Sequence, residues 1–81
     1  MKLTVLGDNE TEIFDQINGL SVLFSYDTPV AAQLPSGRYV KTEEYHSRTT
    51  SRHINKWLNG SEAQREPQSF FDTIMARGVL L

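Results

Sequence analysis

Apolar residues fall into short clusters separated by turn chemistry, a spacing that suits strands in the first half of the chain and helices in the last third. Residues 2–6 (KLTVL) form an apolar-rich run closed by Gly7-Asp8-Asn9, the pattern of an edge strand followed by a turn. In "EIFDQINGLSVLFSY" the Asn18-Gly19 pair sits between two apolar runs and predicts a β-hairpin, because a two-residue type I′ turn needs positive φ at both central positions. Aligned on that turn, Ile17 pairs with Leu20 and Ile13 with Phe24. One face then carries Ile13, Ile17, Leu20, Val22, Phe24 and Tyr26. A helix over residues 10–18, with an Asn9/Glu12 capping box and Gly19 just past its end, competes for the first half of this segment.

Pro29 lacks the N–H that a ladder needs, so residues 27–29 read as an interruption. Residues 30–34, the Pro35-Ser36-Gly37 turn and residues 38–45 then read as strand, turn, strand. Beyond Ser47 the period changes. Ile54, Trp57 and Leu58 recur at helical spacing, Thr49, Thr50 or Ser51 offers a cap, and Gly60 stands where a helix ends. Residues 61–66 read as a polar connector. Pro67 reads as the first residue of a second helix with Phe70, Phe71, Ile74 and Met75 on its apolar face and Gly78 at its close, before an apolar tail at residues 79–81. The expected fold is one small α+β domain over residues 1–81: an antiparallel meander of about four strands followed by two C-terminal helices.

The chain has 81 residues and no cysteine, so neither disulfides nor thiolate-bound zinc can supplement a thin core. No run approaches the ~18 apolar residues of a membrane-spanning helix. The N-terminal run is too short for a signal peptide, which makes the cytoplasm the expected compartment and the two Asn-x-Ser/Thr sequons incidental. The net charge of −2 is unevenly spread. Residues 1–27 set Lys2 against Asp8, Glu10, Glu12, Asp15 and Asp27, a net −4, whereas residues 38–57 carry a net +3. A basic face on an acidic protein follows.

That basic stretch holds the candidate chemistry. His46 and His53 are seven positions apart with no third ligand placed by sequence, so no metal site and no cofactor are expected. There is no nucleophile elbow, phosphate-cradling glycine loop or paired-carboxylate motif, which argues against an enzyme. Arg48, Arg52 and Lys56 with His53 at their margin form a basic, hydroxyl-flanked helix start of the kind that can meet phosphate. The same residues also describe an ordinary capped helix with a solvated outer face. Tyr39 and Tyr45 on a thin sheet, together with the arginines, are residue types that dominate protein interfaces.

"SYDTPVAA" at residues 25–32, "YVKTEEY" at 39–45 and "TTSRHINKWL" at 49–58 resemble a family of small uncharacterised tailed-phage proteins with an S-Y-x-T-P-V-A strand and a T-T-x-H-I-N helix. The resemblance spans roughly residues 20–60. It implies a phage or prophage origin and a host cytoplasm, and it transfers no site residue. The resulting expectation is a non-enzymatic phage-encoded binding protein that acts through protein contacts, modulating a host complex or forming a homodimer. The alternative is a nucleic-acid-binding protein using the face around residues 48–56. The candidate contact residues are Arg48, Arg52, His53, Lys56, Tyr39 and Tyr45.

Overall fold

The computed structural model describes residues 2–75. Its elements in chain order are strands β1 (Lys2–Gly7), β2 (Glu10–Asp15), β3 (Leu20–Ser25), β4 (Thr28–Gln33) and β5 (Tyr39–Thr42), helix α1 (Arg48–Leu58), strand β6 (Ala63–Glu66) and helix α2 (Gln68–Ile74). The sheet has six strands in the order β1-β2-β3-β4-β5-β6, antiparallel as far as β5 and parallel between β5 and β6. The α+β class and the two C-terminal helices match the expectation, but the strand count of about four is too low. Residues 63–66, expected as a polar connector, form β6. An edge strand buries one face at most, so Ala63 packs inward while Gln64 and Arg65 stay exposed and the segment reads as a loop.

Segment 10–18 is a strand and turn, not a helix. The hairpin is where Asn18-Gly19 marks it, but its register is displaced: Ile13 faces Val22 and Asp15 faces Leu20, instead of Ile13 with Phe24 and Ile17 with Leu20. The reason is a four-residue loop in place of a two-residue turn. The Asp15 carboxylate accepts hydrogen bonds from the Asn18 side chain at 2.6 Å and from the Ile17 and Asn18 N–H groups at 3.0 and 3.3 Å. Only Gly19 of the pair adopts positive φ. Ile17 is thereby turned out of the core and is 93 % exposed. Tyr26 also leaves the expected apolar face, because it sits in the two-residue turn between β3 and β4 with φ 57°.

Pro29 does not interrupt the ladder. It lies within β4 opposite Phe24, and the irregularity falls one residue later, where Leu23 pairs with Ala31 and leaves Val30 as the extra residue of a bulge. The last strand of the meander ends at Thr42, short of the expected residue 45.

Consecutive residues of a strand point to opposite faces, and here both faces are covered. Ile13, Leu20, Val22, Ala32 and Val40 pack on one face against Phe71 and Met75 from the α2 segment. Leu23, Val30 and Ala31 pack on the other against Ile54 and Leu58 of α1, with Tyr39, Trp57 and Ala63 at its margin. The sheet is therefore sandwiched between its two helices.

Helix α1 begins two to four residues earlier than a cap at residues 49–51 implies, because Ser47 is the cap: its Oγ accepts from the Thr50 N–H at 3.0 Å. It ends through two left-handed residues, Asn59 at φ 49° and Gly60 at φ 86°. Pro67 is the cap of α2 and not its first residue. The expected close at Gly78 and the tail 79–81 lie outside the described residues.

Candidate functional site

Helix α1 meets β2 and β3 through polar groups as well as apolar ones. Ser25 ends β3 and points toward α1, where its Oγ lies 2.9 Å from Thr50 Oγ1 and 2.8 Å from His53 Nδ1. Ser47 Oγ donates to Thr50 Oγ1 at 3.1 Å. The Ser25 hydroxyl thus links Thr50 to His53 Nδ1 and can meet each as donor or as acceptor. On the other side of the ring His53 Nε2 faces Glu10 Oε1 at 3.7 Å, and Lys56 Nζ reaches the same oxygen at 3.3 Å. Ser25, Thr50, His53 and Glu10 are all buried. One helical turn on, Trp57 Nε1 donates to Glu12 Oε1 at 2.7 Å and its ring meets Tyr39 edge-on at 5.5 Å.

A serine, a histidine and a carboxylate thus converge, a grouping that invites comparison with a hydrolytic triad. The details differ from one. Ser25 is 2 % exposed, at the wall of an open cavity of about 370 Å³ that Tyr26, His46 and Thr50 also line, and the His53–Glu10 separation of 3.7 Å is too long for an orienting hydrogen bond. Physically the cluster is a polar clip that fixes the first half of α1 over the β2–β3 ladder. Every buried side-chain polar atom among the described residues has a partner.

The residues singled out in the sequence fall into separate environments. Arg48, Arg52 and Lys56 share the outer side of α1, and among the described residues neither arginine has a carboxylate within ion-pair distance. Lys56 is paired with Glu10. His53 lies inside the clip, off the exposed margin where its spacing put it, and its ring neighbour is Tyr26 at 6.2 Å. Tyr39 is half-buried beside Trp57, whereas Tyr45 is exposed. His46 takes no part in the clip's hydrogen bonds, although it lines one cavity with Ser25, Ser47 and Thr50: its Nε2 lies 2.9 Å from Gln68 Oε1 and 3.5 Å from Glu44. No group of three His, Cys, Asp or Glu side chains suited to a metal ion occurs among the described residues.

Pattern reading missed the surface at the β1 edge. Leu3 faces Ile13 across the ladder and Val5 faces Thr11, so both project on the α2 side of the sheet, yet no described element lies over them. Leu3 is 62 % and Val5 71 % exposed. With Ile13, Phe24 and Tyr26, Leu3 lines an open cavity of about 240 Å³. The apolar run at residues 2–6 was the available signal, but in a short edge strand such a run does not show which side is covered. The two sheet edges differ in kind. β6 has four residues and presents Gln64, Arg65 and Glu66; β1 has six and presents one lysine.

Comparison with curated proteins and with solved structures returned no match. A protein-family model matches residues 1–73, a span that holds β1, the polar clip and all of α1. The chain belongs to that family, DUF8033, a family of unknown function.

Proposed function

We propose that this protein is a non-enzymatic binding module that works through protein–protein contacts made at the β1 edge of its sheet. The observation that carries the reading is the combination of a strand edge that pairs with no other strand among the described residues and two neighbouring exposed apolar side chains, Leu3 and Val5. An open edge offers backbone N–H and C=O groups to an incoming extended segment, and apolar side chains beside it add contact area. Natural sheets blunt such edges when nothing binds them, as β6 is blunted here. The resemblance to small tailed-phage proteins adds a setting, the cytoplasm of a phage's host.

Placing a photo-crosslinking residue at position 5, in cells that make the protein, tests this. The expected result is covalent adducts with protein, abolished by Thr4→Pro, and none from the same residue placed at Asp72 on α2. No adduct from position 5 overturns the reading.

A second reading follows from Arg48 and Arg52, which have no described carboxylate partner and stand one turn apart on the exposed side of α1: binding of nucleic acid through phosphate. It predicts oligonucleotide binding at low salt that is lost in the Arg48→Ala, Arg52→Ala double variant. An anisotropy titration that stays flat at low salt removes it.

A further inference from the structure

We propose that the partner at the β1 edge is a second copy of this chain, joined by antiparallel pairing of the two β1 strands about a two-fold axis that passes through Thr4. This inference rests on the reading of β1 as the binding edge and names its occupant. A two-fold axis normal to the sheet keeps each face on its own side, so paired residues share parity, and odd-numbered positions of one copy meet odd-numbered positions of the other. Centring on Thr4 opposes the regular residues 3–5 of the two copies and leaves Lys2 and the bulge residue Leu6 at the ends. Thr4 faces Thr4 of the second copy, Leu3 faces Val5 and Val5 faces Leu3, while Lys2 faces Leu6.

Three features of the chain favour this arrangement over a foreign strand. The two most exposed apolar residues of β1, Leu3 at 62 % and Val5 at 71 %, are exchanged into each other's neighbourhood, so one short patch is complementary to itself. They extend the apolar face already formed by Ile13 and Phe24 on β2 and β3 into a continuous surface across the junction. The charges also match. Lys2, the one basic residue of segment 1–27, comes to lie at the Leu6 end of the second copy's β1, toward the turn that carries its Asp8. The β1 bulge, where Val5 pairs with Thr11 and Gly7 with Glu10, leaves Leu6 as the extra residue and keeps residues 2–5 regular.

A junction of about five residues per copy lies below the ~1,200 Å² of a standard stable interface, so association is weak and must be followed across a concentration series. The protein lacks cysteine, which gives a direct geometric test. Directly opposed residues of an antiparallel pair lie within the Cα separation that a disulfide bridges. Under mild oxidation Thr4→Cys is expected to form a covalent dimer. Leu3→Cys and Val5→Cys are each expected to stay monomeric alone and to cross-link when mixed. Sedimentation of the full chain is expected to show a concentration-dependent monomer–dimer equilibrium that Thr4→Lys weakens by about tenfold or more, since it places like charges on the axis, with circular dichroism unchanged. A wild-type chain that stays monomeric at all concentrations, or cysteine variants that cross-link without regard to position, overturns the dimer. If position 5 still yields adducts with other proteins in that case, the binding edge stands and only its occupant is wrong.

Discussion

Ser25 shows how a small polar residue comes to organise a helix. Its hydroxyl is held between Thr50 and His53, and both partners are buried with it. Removing that hydroxyl leaves His53 Nδ1 without its side-chain partner at a buried position. Ser25→Ala is accordingly expected to cost about 1–3 kcal/mol of unfolding free energy, measured by urea titration. Asp15 governs a turn in a similar way. The Asn18 side-chain amide, with help from the Asn18 and Ile17 N–H groups, holds its carboxyl below the usual carboxylate range. A group whose folded pKa is depressed contributes stability that is present above the unfolded value, about 3.9, and is lost as pH falls through the folded value. Thermal melts taken at successively lower pH are therefore expected to fall more steeply below pH ~4 for the wild type than for Asp15→Ala. Neither role was legible from spacing. Ser25 is one of several serines in polar positions, and Asn18-Gly19 advertises a two-residue turn until the Asp15 side chain is seen to organise a longer one.

Among the elements, α1 was read most nearly correctly. Ile54 and Leu58 lie buried where helical spacing places them, and Trp57 flanks them while its indole N–H reaches Glu12. The cap was displaced because any of Ser47, Thr49, Thr50 and Ser51 could serve, and only the packing of Thr50 against Ser25 selects Ser47. Ser47→Ala is expected to cost about 1 kcal/mol, measured by chemical denaturation. Thr49→Ala, which leaves the cap in place, is expected to cost less. Strand β6 was illegible, since a four-residue edge strand whose inward residue is a single alanine has no usable period. The meander was legible as far as Thr42 because its strands alternate with recognisable turns. The bulge at Val30 was not, since it lets Val30 and Ala31 face the same helix in succession.

For the molecule as a whole, the sheet keeps its two candidate surfaces apart. The arginines stand on the outer side of α1, over one face; the exposed apolar pair projects from the edge strand on the other. The basic cluster was legible because charge is written directly in the sequence, although burial of His53 and the pairing of Lys56 with Glu10 reduce what it presents. The β1 surface was not, because exposure of Leu3 and Val5 depends on where α2 lies. Backbone amide hydrogen exchange of the full chain at low and high protein concentration separates these surfaces most directly. Pairing at the β1 edge predicts that exchange within residues 2–6 slows as concentration rises while the other edge, residues 63–66, is unchanged. Exchange in β1 that is independent of concentration and of any added protein, with protection appearing only in α1 on addition of an oligonucleotide, would contradict it.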